Sequence, residues 1–298
     1  MKSSKVVIVH GKGVLNSPGK ADQKKLLLMY ERGFTSLAGI PSIRESLQSL
    51  FSKKEKIGIK INTIAGKMLS STPDITLPLV ELFSRCGFSE KNFLIWDRTN
   101  RELKNAGYRL NLSGGGVRIF GTDTDGVGYT SELVAHRNIG SLFSSIQAKI
   151  ISSSISFAVL KDHGLAGVTA SMKNYFGAIH NPNKYHDTNC DPFIAELFET
   201  KEIKKKHRVT IIDGLKVQYH RGPSFHSQWA EKKEVLLFSL DAVAADLVGW
   251  KIIETLRKAK GLPSLIEEKR EPGYLFSAEK LGLGKANIKF IKIIEEEV

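Results

Sequence analysis

Residues 56–97 read KIGIKINTIAGKMLSSTPDITLPLVELFSRCGFSEKNFLIWD. Two short apolar runs, Lys56–Asn62 and Phe93–Asp97, flank a segment whose apolar residues recur at helical spacing (Leu79, Val80, Leu82, Phe83, Cys86). Strand, helix, strand over this length is a βαβ unit, and it places its two strands parallel. The helix is expected over Leu77–Cys86, because proline is tolerated in a first turn and Pro78 falls there.

The same alternation runs outward in both directions. Further strands are expected at Lys5–His10, Val117–Gly121, Lys149–Phe157, Arg208–Asp213 and Glu234–Leu240, with Asn287–Ile294 closing the sheet as an edge strand. Helices are expected at Ala21–Leu37, Ser42–Phe51, Arg101–Ala106, Pro192–Thr200 and Ala242–Arg257. The fold class is therefore α/β: a mostly parallel sheet flanked by helices, in three layers. A single large domain over residues 1–298 is the preferred reading, and a weak subdivision near residue 150 is the alternative.

Composition is that of a globular protein, with 41% hydrophobic and 25% charged residues. No apolar run is long enough for a membrane helix. The short apolar run before His10 and Gly11 suits a first strand better than a secretory signal, so a cytoplasmic protein is expected. The formal net charge of +13 leaves three readings: nucleic-acid binding, attraction of an anionic substrate, or a Lys-rich surface. Basic residues are spread along the chain, and the densest run, Lys201–Arg208, reads as a solvated approach to a strand. No nucleic-acid-binding signature is present, which makes nucleic acid an unlikely partner.

Polar side chains concentrate in Lys161–Asp191, KDHGLAGVTASMKNYFGAIHNPNKYHDTNCD, which holds three of the eight histidines: His163, His180 and His186. Lys173, Asn174, Asp187 and Cys190 stand among small residues that allow close approach, and together they make a site hypothesis. Several expected strands end on a polar residue: His10, Asn62, Asp97, Asp213 and Asp241. In open parallel sheets the ligand crevice lies beyond those ends. Asp97 and Asp241 also read as helix N-caps, and for Asp241 the cap weighs equally with function. Lys60 and Lys67 beside the 62–73 loop read either as an anion site or as a solvated loop. His220 and Arg221, in the loop after Asp213-Gly214, either complete the pocket or line a surface loop.

Other motifs read as local structure. Gly114–Gly116 precedes a strand, which is the reverse of a dinucleotide fingerprint, and it reads as a turn. Asp123 and Asp125 lack the remaining ligands of a calcium loop. Cys86 ends a helical pattern as a buried thiol. Two cysteines are too few for an ordinary iron–sulfur cluster, and none is expected within this chain.

The order Lys60-x-Asn62, Thr72-Pro73, Asp97, Lys161-x-His163-x-x-x-Gly167-Val168-Thr169-x-x-x-Lys173-Asn174-x-x-Gly177 and His186 resembles domain-of-unknown-function family 362. Ile211-Ile212-Asp213-Gly214, Gly222-Pro223 and Ser239-x-Asp241-x-Val243-Ala244-x-Asp246 extend the resemblance over about residues 55–255, with Lys-Asn-x-x-Gly its most specific part. Many members are described as iron–sulfur proteins because of an attached ferredoxin-like domain. A weaker similarity is to the nickel-dependent lactate racemases, which tether a nickel pincer cofactor to a lysine and use histidines as metal ligand and acid/base groups. His163, Lys173, Gly177 and His186 follow in that order, although Ser171-Met172 stands where that family has a glycine pair.

The expectation is an enzyme of oxidoreductase or isomerase type acting on a small anionic substrate. His163, Lys173, His186 and Asp213 are the catalytic candidates. Lys60, Asn62, Asp97, Asn174, His220 and Arg221 are the substrate-binding candidates. A transition metal (nickel, iron or zinc) would sit on His163, His186 and Asp187, with His180 and Cys190 as secondary ligands. A redox partner protein is a further expectation. The rival classes are a non-catalytic metal-binding or electron-transfer protein and, third, a nucleic-acid binder.

Overall fold

The computed structural model describes residues 3–16 and 20–298. Its strands are β1 (Ser4–His10), β2 (Ile57–Lys60), β3 (Phe93–Trp96), β4 (Arg118–Ile119), β5 (Val134–His136), β6 (Ile139–Ser141), β7 (Ser153–His163), β8 (Gly167–Thr169), β9 (His207–Gln218), β10 (Ala230–Ser239) and β11 (Ile291–Glu297). Its α-helices are α1 (Gln23–Ala38), α2 (Ile43–Leu50), α3 (Pro73–Arg85), α4 (Asn100–Asn105), α5 (Ser171–Asn174), α6 (Phe193–Glu199), α7 (Lys201–Lys204), α8 (Ala242–Ala259) and α9 (Tyr274–Lys280).

The main sheet runs β11-β1-β10-β9-β7-β2-β3-β4, with β8 folded back on β7. The block β9-β7-β2-β3-β4 is parallel, as the 56–97 unit predicts. Strand β10 runs antiparallel to both neighbours, and β11 closes the edge parallel to β1. Alternate side chains of each strand enter opposite layers, because strand side chains alternate faces. Val7, Ile59, Ile95, Phe157, Ile211 and Phe238 pack under α1–α4. Val6, Trp96, Leu160, Ile212 and Leu237 pack under α5, α6, α8 and α9. The result is three layers, helix–sheet–helix.

Two expected elements end up elsewhere, for physical reasons. The strand expected at Lys149–Phe157 starts at Ser153 and runs on to His163, and residues 146–150 form a π-helical turn. Lys206 Nζ donates to the carbonyls of Gln147, Ala148 and Ile151, which satisfies that turn's free end. Helix α3 starts at Pro73 behind Thr72, so Pro73 takes the first position and Pro78 lies inside the helix. Pro78 is buried against the α1 side of the core, where packing outweighs one missing backbone hydrogen bond. Asp241 does cap α8, accepting from Ala244 N at 2.9 Å. Asp97 caps no helix; Thr99 caps α4 instead.

Candidate functional site

The long parallel strand β7 carries the site at its carboxyl end. Its register with β9 shifts between Val159 and Lys161, a local irregularity of the kind that re-aims side chains. Lys161 then pairs with Thr169 across the tight β7–β8 hairpin, and His163 pairs with Gly167. Gly167 has φ +71, and a Cβ there would meet the Arg270 carbonyl at 2.1 Å, so only glycine fits.

Helix α5 follows immediately. The carboxylate of Asp246, buried on α8, accepts from Ser171 N at 2.8 Å and Met172 N at 3.0 Å and so satisfies the open first turn of α5. Burial pushes the Asp246 carboxyl up to about 7, only partly offset by those two amides. Anchored this way, α5 presents Lys173 and Asn174 to the sheet edge. Asn174 Nδ2 donates to the Lys60 carbonyl (2.8 Å) and Ser156 Oγ (3.1 Å), tying α5 across β2 and β7. Gly177 comes so close to β2 that a Cβ would lie 2.7 Å from Lys60 Nζ. The Lys-Asn-x-x-Gly block is thus one device: an inward lysine, an amide bridge and a close-approach glycine.

These elements enclose a cavity of about 190 Å³ whose walls include Asn62, Lys161, His163, Thr169, Lys173, Asn174, Phe176 and His186. The charged side chains that line it are Lys60, Asp97, Arg98, Glu102, Lys161 and Lys173; Arg98 and Glu102 are half-buried, and the buried ones fall into two kinds. Lys60 is fully buried and donates to Asp97 Oδ1 at 2.7 Å, to the Ile61 carbonyl at 2.6 Å and to Asn174 Oδ1 at 3.2 Å. Asp97 also accepts from Thr63 N, Thr63 Oγ1 and Arg98 N, so this ion pair is saturated. Lys161 and Lys173 are also buried, yet among the described residues neither forms an ion pair with a carboxylate. Lys161 Nζ donates to Asn62 Oδ1 at 2.9 Å. Lys173 Nζ donates to His186 Nε2 at 3.2 Å, lies 3.8 Å from Cys190 Sγ and sits 4.1 Å above the Phe176 ring. Desolvation lowers both ammonium groups to about 8; in Lys161 the charge of Asp97 works against the fall and that of Lys173 adds to it.

The two histidines differ in tautomer. His163 Nδ1 accepts from Leu165 N and Ala166 N, both at 3.2 Å, so the neutral ring carries its proton on Nε2. Burial, then Lys173, His186 and Lys161, push His163 down to about 2, which keeps it neutral. His186 Nδ1 donates to the Pro182 carbonyl at 3.0 Å, leaving its Nε2 lone pair for Lys173. The rings stack at 5.7 Å. Thr169 is buried, and its hydroxyl has no hydrogen-bond partner among the described residues.

The structure therefore brings together His163, Lys173, His186, Lys60, Asn62, Asp97 and Asn174. It does not bring in the remaining candidates. Asp213 sits on β9 facing the α1–α4 layer, where it accepts from Ser71 Oγ and Leu215 N; it orients no histidine. Burial pushes its carboxyl up to about 6. His220 Nδ1 meets Arg257 Nη1 at 3.2 Å and its ring stands on Trp229, so it braces that loop. Arg221 lies outside the cavity walls, as do Asp187 and His180, which are exposed. Among the described residues, no three His, Cys, Asp or Glu side chains converge as a metal-ligating group. Cys86 and Cys190 lie in opposite layers of the sandwich. Sequence reasoning missed Lys161, Thr169 and Asp246 as site residues. All three stand in the motif pattern, but their charge compensation and partners depend on neighbours distant in sequence.

A larger open groove of about 830 Å³ lies between the β5–β6 hairpin and α6–α7, away from this chemistry. No helix among the described residues is long and apolar enough to cross a membrane. The model of the family described as "Domain of unknown function (DUF362)" matches residues 57–251, more than half of the chain, and the chain belongs to that family. The matched span contains every wall of the cavity. Curated proteins give no match, so the likeness to lactate racemases finds no support there. Among solved structures, a protein from Thermotoga maritima is similar at 9% identity and a TM-score of 0.47, over 82% of this chain. The chain spans 60% of the length of that protein.

Proposed function

We propose that this member of the DUF362 family is an enzyme that binds a small anionic molecule in the Lys161–Lys173 cavity and moves a proton on it. One observation carries the reading: two buried ammonium groups without a carboxylate partner face a cavity beside an unpartnered hydroxyl. Buried cations are costly unless paired, and a carboxylate or phosphate supplies the missing charge. A volume of about 190 Å³ suits a ligand of a few heavy atoms. Lys161 and Thr169 hold the anion. Lys173 and His186 share a proton across 3.2 Å, and an amine near 8 is well matched to general acid/base work at neutral pH. His163 donates from Nε2 to an oxygen of the substrate.

The test is calorimetric titration of the full chain with short carboxylates and inorganic phosphate. Binding that Lys161→Met weakens at least tenfold supports the reading. Equal binding in both proteins, or none in either, rejects it.

A metal-assisted version has one observation behind it. His186 donates through Nδ1 to a carbonyl and turns Nε2 to the cavity, the usual posture of a metal-ligating histidine. His163 does not share that posture, because its Nδ1 accepts. Near-stoichiometric nickel, iron or zinc in protein purified without chelator, absent from His186→Gln, would favour this version.

A further inference from the structure

We propose that Lys173 is a covalent nucleophile that forms an imine with the carbonyl of a short oxo-carboxylate. This rests on the reading of the cavity as an anion site and adds a substrate class to it. Four features of the cavity combine to support it.

The first is the state of the amine. Lys173 Nζ touches an aromatic face, a histidine nitrogen and a thiol, with no carboxylate to hold it as an ammonium ion. A second ammonium group, Lys161, lines the same cavity. A lysine in a desolvated site with a proton acceptor in reach is placed to act as a nucleophile. The second is a proton carrier in contact: His186 Nε2 is 3.2 Å away, with its other nitrogen fixed on Pro182. Lys161 has no such partner, only the Asn62 amide oxygen, so the nucleophile is Lys173.

The third is a place for the carboxylate: Lys161 and the unpartnered Thr169 hydroxyl stand side by side on paired strands. The fourth is a donor for the carbonyl oxygen. The proton on His163 Nε2 has no acceptor among the described residues. An anion site alone would need only the third feature.

The steps balance. The Lys173 ammonium gives one proton to His186 Nε2, and the freed nitrogen lone pair attacks the carbonyl carbon, forming the C–N bond. The carbonyl π pair moves to oxygen, where His163 Nε2–H stabilises it, and the nitrogen passes a proton to that oxygen. The His186 imidazolium then returns its proton to the hydroxyl, the C–O bond breaks, and water leaves. The product is a protonated imine on a substrate whose carboxylate is intact, an electron sink for proton removal or carbon–carbon cleavage at the adjacent carbon. No oxidant or further co-reactant enters.

The experiment is borohydride trapping. The full chain is incubated with pyruvate (a 2-oxo acid) or acetoacetate (a 3-oxo acid), reduced with sodium borohydride, and mapped by peptide mass spectrometry. The expected result is one reduced adduct, on Lys173, with either acid. It should be absent in Lys173→Met and formed at least tenfold more slowly in Lys161→Met and in His186→Gln. Circular dichroism confirms that each variant is folded, and the two variants that keep the amine serve if Lys173→Met is not. Propionate and lactate, which have no ketone, are titrated in parallel. If they bind but neither oxo acid leaves an adduct on Lys173, the imine is overturned and the anion site stands. If nothing binds and nothing is trapped, both fall. Adducts spread equally over surface lysines, unchanged in Lys173→Met, also overturn the proposal.

Discussion

The cavity wall has two halves that look alike in composition and differ in physics. On the β2–β3 side, Lys60 is buried beside Asp97, and every polar atom of the pair has a partner inside the protein. On the β7–α5 side, Lys161 and Lys173 are also buried; Lys161 meets an amide oxygen, and Lys173 a histidine nitrogen, a thiol and an aromatic ring. The first half is a closed account of charge and holds β2, β3 and α5 together. The second is open, and it is where we propose that the anion binds. Residue type and burial alone do not distinguish a structural lysine from a functional one; the presence of a compensating carboxylate does.

Three perturbations would break or sharpen this contrast. The largest effect belongs to the saturated half. Asp97→Asn leaves the Lys60 ammonium uncompensated in a dry site, and breaking such a pair costs about 3–5 kcal/mol. Urea denaturation should show the midpoint falling accordingly with an unchanged slope; a loss below about 1 kcal/mol would mean the pair does not hold the fold.

Next comes the opposite sign in the open half. Lys173→Met removes a buried charge with no carboxylate partner, so stability should rise by about 1–3 kcal/mol while ligand binding disappears. Thermal unfolding and titration of one sample decide it. If this variant loses stability as Asp97→Asn does, the two halves are equivalent and the contrast fails.

The third perturbation is of pH. Lys161 and Lys173 are both lowered from 10.5 to about 8, so the folded chain binds fewer protons than the unfolded chain between those values. Stability from these groups is therefore reduced below about pH 8 and rises as pH climbs from about 8 toward 10.5. Anion affinity runs the other way, falling about tenfold per pH unit above 8 for each lysine that must be charged. Calorimetry from pH 6 to 10 should show that decline; a flat profile would mean neither ammonium contacts the ligand.

Much of this site was legible in the sequence. Lys161–Asp191 stood out because polar groups and small residues are interleaved with Met172, Tyr175, Phe176 and Ile179, which makes it neither core filler nor linker. His163, Lys173 and His186 were named and do converge. The sequence misplaces Asp213 because β9 runs on to Gln218, so the residue lies within the strand and not at its end, and its side chain turns to the α1–α4 layer. Asp187 and His180 were misread because proximity in sequence was taken for proximity in space; both point outward from the turns around His186. Lys161 was read as part of a motif and passed over as a site residue. That it forms no direct ion pair among the described residues is a property of the assembled cavity.

The sequence by itself determined the layered α/β fold, because periodicity of apolar residues is a local property that survives without knowledge of partners. The 56–97 unit already implies parallel strands, and β-branched runs elsewhere supply the rest of the sheet. It also determined where along the chain the candidate site lies. Only the tertiary structure decided which buried charges are neutralised, which histidine nitrogen carries a proton, and which face of the sheet each strand end serves. Those are set by hydrogen-bond partners many residues away: Asn62 for Lys161, Asp97 for Lys60, Asp246 for the turn that aims Lys173. Charge and protonation depend on the distances among such groups and on exclusion of water, and both arise only when the chain is folded.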